Sequence, residues 1–122
     1  MQHDGEISGV TIKCPLEQVE VTFVVQDDRV IQVPQGETPA GWSTSGFESN
    51  LEMAMFTVLN AMLNLIVAGY QFSRTEALAL ANLLVNLRIT QIVNGVRAVH
   101  ALLLHSAIAF TPIGTVSTVS LT

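Results

Sequence analysis

Residues 73–105 change hydrophobic period part-way along, and that change narrows the folds open to this chain. From Ala77 to Val85 the apolar residues fall at helical spacing: Ala77, Leu78, Ala79, Leu80, Ala81, Leu83, Leu84, Val85. After Leu87 the pattern alternates as Arg88-Ile89-Thr90-Gln91-Ile92-Val93 and then meets Asn94-Gly95. Asn-Gly is the strongest two-residue hairpin signal, because both residues tolerate positive φ. A helix feeding directly into a β-hairpin requires an architecture that stacks helices on a sheet.

The helix has a marked start. Ser73-Arg74-Thr75-Glu76 is a capping box, in which Ser accepts from the third helical amide and Glu reaches back to the cap amide. With so little polar surface, this helix is expected to be buried on more than one side. Ser49-Asn50-Leu51-Glu52 is a second capping box, and Leu51, Met55, Val58, Leu59, Met62, Leu65 and Ile66 follow on one helical face. Thr57, Asn60 and Asn64 form a narrow polar stripe opposite, and Gly69 is expected to close the helix in the left-handed conformation. A short loop between the two helices predicts an antiparallel helical hairpin.

The chain before residue 49 reads as strands. Residues 6–14 carry Ile7, Val10 and Ile12, with a bulge expected at Gly9. Residues 17–26 form the clearest strand pattern, with Val19, Val21 and Phe23 on one face and Glu20 and Thr22 on the other. Residues 30–33 form a short third run, stopped by Pro34, and 41–47 form an extended lead-in to the first helix. Short connections favour an antiparallel meander. The expected fold is therefore α+β: one domain over residues 1–122, an antiparallel sheet with a two-helix hairpin on one face, and a β-hairpin that rejoins it. Residues 106–122 are expected to be a loose tail or a last strand.

Composition sets limits on function. Apolar residues make up 49 per cent of the chain and charged residues only 12 per cent, about half the usual charged share. Part of the surface is therefore expected to be covered by a partner subunit, by a missing part of a larger protein, or by lipid. The net charge is −5, and Lys13, Arg29, Arg74, Arg88 and Arg97 are scattered. Without a cluster of cations to displace counterions, nucleic acid is not an expected partner. The lone Cys14 fits a reducing cytoplasm, and MQHDGEISG lacks the basic and apolar regions of a secretory signal. The most membrane-like window, 53–69, falls short of the roughly 20 apolar residues of a span and holds Thr57, Asn60 and Asn64.

Candidate chemistry is sparse. His3-Asp4-Gly5-Glu6 brings an imidazole and two carboxylates close together in sequence. Such groups bind a divalent cation or let a carboxylate act as general base on water; the alternative is a solvated terminus. His100 and His105 read as partly buried histidines with backbone partners, and Cys14 as a strand-end residue. Ser43, Thr44 and Ser45 lack the strand–elbow–helix setting of a nucleophile, and Trp42 and Phe47 read as core. Arg88, Thr90, Gln91 and Asn94 are polar groups in apolar surroundings that must be paired, either as structural hydrogen bonders or as site residues.

Four blocks carry a resemblance: GEISG near the start, GFESNLEMAM, SRTEALAL, and LRITQIVNGVR followed by VHALL. Together they resemble the C-terminal part of the acetamidase/formamidase family, over most of residues 2–105, and the last block is the most specific. The family has an acidic pair before its first strand, which Asp4 and Glu6 match; His3 stands where the family usually has glycine. The resemblance implies hydrolysis of the C–N bond of small linear amides such as formamide or acetamide. It implies Asp4 and Glu6 as catalytic residues or as ligands of a divalent metal, zinc or calcium. Family members are much longer, so the chain is expected to be a C-terminal module or a truncated member. It would work as a homo-oligomer or beside an N-terminal partner chain. The competing expectation is a non-catalytic oligomerisation or assembly module that completes a larger protein, and a weaker third is a membrane-surface protein.

Overall fold

The computed structural model describes residues 7–8, 15–28, 30–109 and 120–121. Its centre is a four-stranded antiparallel sheet in the order β1-β2-β4-β3, built from β1 (Gln35–Glu37), β2 (Gly41–Glu48), β3 (Asn86–Gln91) and β4 (Arg97–Leu104). Helices α1 (Leu51–Tyr70) and α2 (Arg74–Leu84) connect β2 to β3. Since β2 and β3 both run antiparallel to β4, the helices form a crossover and not a link in a meander. The α+β class read from the sequence is the observed one.

The register shows which face the helices cover. Trp42, Thr44 and Gly46 of β2 lie opposite Leu103, Ala101 and Val99 of β4, and this row faces α1. Val58, Met62 and Ile66 of α1 are fully buried against it. Gly46 allows the close approach: a Cβ there would lie 2.5 Å from the Ala54 carbonyl oxygen and 3.0 Å from the Val58 nitrogen. Thr44, fully buried, donates from Oγ1 to the Val58 carbonyl at 3.1 Å. One turn of α1 is thus held to the centre of β2 by backbone contact and a side-chain hydrogen bond. That close fit explains why β2 is written in Gly, Ser and Thr and not in large β-formers.

The ends of α1 differ from expectation by one or two residues. Asn50, not Ser49, is the N-cap, its Oδ1 accepting from the Glu52 amide at 2.8 Å and the Met53 amide at 3.3 Å. Both residue types cap well, and Asn50 is the one whose backbone is extended where helical bonding begins. At the other end the helix runs past Gly69, and Gln71 takes the left-handed conformation with φ 58°. The reversal has to fall there because the cap of α2 is only two residues further on. Ser73 forms the expected capping box: its Oγ accepts from the Glu76 amide at 3.2 Å, and Glu76 Oε1 accepts from the Ser73 amide at 3.2 Å. Ser73→Ala is expected to destabilise the fold by about 1 kcal/mol, read as a lower urea midpoint at unchanged slope.

The β3–β4 hairpin turns through Asn94 and Gly95, at φ 67° and 85°, which is a type I′ turn. A bulge between Ile89 and Gln91 leaves Thr90 unpaired in the ladder. The Gln91 side chain donates to the carbonyls of Val93 and Val96, both at 3.2 Å, and so ties down the turn. Beyond β4 a short 3-10 turn, His105–Ala107, leads to β5 (Ile108–Ala109), which pairs with β6 (Ser120–Leu121). Ala107 and Ile108 are buried in the core, so the start of the expected loose tail is part of the fold.

Two expectations are corrected. Residues 15–28 and 30–33 contain no strand. Leu16, Val19, Val21, Phe23, Val24, Val25 and Val30 all stand exposed, Phe23 at 91 per cent. Alternation encodes a half-buried surface, but a strand also needs a neighbour to bond its backbone, and the described part of this chain offers residues 15–28 none. The expected strand at 6–14 lies mostly outside the described residues. The second correction concerns α2, which buries only Ala77 and Ala81 and leaves Leu78 and Leu83 more than half exposed. Among the described residues it is covered on one side only, where it lies on α1.

Candidate functional site

The polar stripe of α1 lines a cleft. Thr57, Asn60 and Asn64 face residues 30–35 across two adjoining cavities of about 550 and 470 Å³. Trp42, Tyr70, Gln32 and Gln35 complete the lining. The stripe repeats every three to four residues, which keeps the three side chains on one helix face, and the segment before β1 forms the second wall. The floor is apolar, made by Leu65, Ala68 and Ala61.

The side chains of the stripe are held in place. Arg74, at the first position of α2, donates from one guanidinium nitrogen to Asn64 Oδ1 at 2.8 Å and from the other to Asn60 Oδ1. The fork of the guanidinium suits two acceptors one helical turn apart. With both oxygens engaged, the two carboxamides present N–H groups as their remaining donors. Thr57 donates to Glu48 Oε1 at 3.1 Å, which anchors the other end of the stripe to β2. The stripe is left with the N–H groups of Asn60 and Asn64 as its uncharged donors.

The other polar groups have structural partners. His100 Nδ1 lies 2.6 Å from Thr90 Oγ1, and the bulge at Thr90 brings that hydroxyl to it. His105 Nε2 lies 3.0 Å from the Thr38 carbonyl oxygen and 3.7 Å from Glu37 Oε1, and its ring meets Trp42 edge-on at 5.9 Å. It latches the β1–β2 turn to the end of β4. Trp42 packs against the core as expected, whereas Phe47, on the opposite face of β2, is about half exposed.

Asp4 and Glu6, the expected catalytic and metal-binding pair, lie outside the described residues, as do His3 and Cys14. Among the described residues no group of three or more His, Cys, Asp or Glu is placed to hold a metal ion. The donor set of the cleft is carboxamide and hydroxyl, which suits a neutral ligand better than a zinc ion. Sequence reasoning noted the stripe on α1 but not the cleft, because its second wall comes from residues distant in the chain. The paired Asn60 and Asn64, together with Arg74 at a helix start, were the available signal.

By length and composition alone α1 would suffice to cross a membrane, yet its buried face packs on β2 and β4. Neither protein-family models nor curated proteins give a match to this chain.

Proposed function

We propose that the chain belongs to a cytoplasmic hydrolase of small linear amides such as formamide or acetamide, and works as an oligomer. The observation that carries this reading is the resemblance of the blocks at 46–55, 73–80 and 87–103 to acetamidase/formamidase proteins. In support, the first block spans the β2–α1 junction and pairs through β2 with the third, the β3–β4 hairpin, while the second opens α2.

The chemistry follows from the residue types. An amide has a carbonyl acceptor and N–H donors, and a carboxamide-lined cleft matches both. Asp4 or Glu6 acts as general base, taking a proton from water as its oxygen attacks the carbonyl carbon. N–H groups such as those of Asn60 and Asn64 stabilise the negative charge that develops on the carbonyl oxygen. The C–N bond then breaks, and the nitrogen leaves as ammonia after receiving the proton. Zinc or calcium bound at the acidic pair would polarise the carbonyl or the water; no step above requires it.

The test is ammonia release from formamide and acetamide by the purified chain, with and without added zinc or calcium. The Asp4→Ala/Glu6→Ala double variant is expected to lose at least about 100-fold in rate, the usual contribution of a general base. No release under any of these conditions overturns the hydrolase reading. A non-catalytic assembly module is the second reading, favoured by the exposed apolar residues of 16–30 and of the outer face of α2.

A further inference from the structure

We propose that residues 17–26 of one copy add as a strand to the open edge of β3 in a second copy of this chain. The inference rests on the assembly reading and not on amide hydrolysis.

The donor is ready-made. Among the described residues, no backbone hydrogen bond ties residues 15–28 to the rest of the fold, and the segment forms no helix or strand and is exposed. Unpaired extended backbone with alternating apolar side chains is the ligand that sheet edges recruit. The acceptor is equally open. In the order β1-β2-β4-β3, β3 bonds only to β4 among the described residues and presents its outer edge to them unpaired. Leu87 and Ile89 lie on the helix side of the sheet, opposite Ala101 and Val99, yet each is more than 40 per cent exposed. The helices cover the β2–β4 half of that face and stop short of β3.

The two faces match side by side. A strand's residues alternate between faces, so Val19, Val21, Phe23 and Val25 would extend the row of Leu87 and Ile89. Glu20 and Thr22 would then fall on the opposite face, beside Arg88 and Asn86. Charge agrees with this pairing: residues 15–28 hold Glu17, Glu20, Asp27 and Asp28 with no Lys, Arg or His, while the β3–β4 hairpin holds Arg88 and Arg97 with no carboxylate. Both halves of the match reside in one sequence, which points to a second copy and not to a different protein. Within a single copy, the segment enters the sheet at β1, the edge farthest from β3. A reciprocal exchange between two copies fills both edges and closes the dimer.

The experiment measures the mass of the full chain in solution by sedimentation. The wild type is expected at twice the 13.1 kDa monomer. Thr22→Pro/Phe23→Pro removes two successive N–H groups, which point to opposite sides, and so disables the donor whichever side pairs. Ile89→Lys places a charge on the acceptor edge at a half-exposed position, where the fold tolerates it. Each variant is expected to raise the dimer dissociation constant at least about tenfold, and an equimolar mixture of the two to recover a dimer through its one intact junction. A wild type that stays monomeric at about 100 µM overturns the proposal and the assembly reading with it. A dimer indifferent to both variants overturns strand addition but leaves assembly standing. A monomer whose amides at 19–25 resist hydrogen exchange shows pairing within one copy and also overturns the proposal.

Discussion

Met62→Ala is expected to lower the unfolding free energy by about 3 kcal/mol, within the range for truncating a fully buried methionine. Met62 is fully buried, and it is among the largest side chains that are so enclosed. It sits between Val58 and Ile66 on the stripe of α1 that rests on Ala101, Leu103 and Val99 of the sheet. It belongs to the buried cluster shared by α1 and β4, where close packing leaves little room for neighbours to fill the space its side chain vacates. Total stabilities are about 5–15 kcal/mol for domains of this kind, so the loss should be plain in a urea titration. Phe56→Ala is the control: Phe56 is 57 per cent exposed, and its truncation is expected to cost less than about 1 kcal/mol. Equal effects from the two would mean that the α1–sheet interface is not the core.

Gly46→Val should destabilise to a similar extent for the opposite reason, by overfilling. The new Cβ would meet the Ala54 carbonyl oxygen at 2.5 Å and the Val58 nitrogen at 3.0 Å. Both are helix backbone, so relief requires α1 to lift from β2 as a unit. Lifting also stretches the 3.1 Å bond from Thr44 to Val58. Overpacking of this kind costs about 1–3 kcal/mol, and the lost buried hydrogen bond adds about 1 kcal/mol. Gly69→Ala provides the contrast. Nothing lies within 4 Å of a Cβ there, and the residue is inside α1, so helix propensity favours alanine by about 0.5–1 kcal/mol. Thermal melts of the two variants should therefore move in opposite directions from the wild type.

The candidate site was only half legible before the structure. Thr57, Asn60 and Asn64 could be read as a stripe from helical spacing. Their neighbours across the cleft, Gln32 and Gln35, and their anchor Arg74 come together only through packing. The acidic pair Asp4 and Glu6 was singled out from residue type and resemblance.

The sequence by itself determined the elements whose signals act over three or four residues. The capping box at Ser73, the helical stripe from Leu51 to Ile66 and the Asn94-Gly95 turn are encoded by groups that bond to near neighbours, and each stands where it was read, within a residue or two. Only the tertiary structure decided which strands form the sheet. Residues 17–26 have the best strand pattern in the chain and form none, whereas the Gly- and Ser-rich run from Gly41 to Glu48 lies at the centre. A strand exists only with a partner along its backbone, and a partner depends on what the rest of the chain brings alongside. Gly46 and Thr44 earn a central position because α1 needs a close approach there, a requirement that no local pattern records.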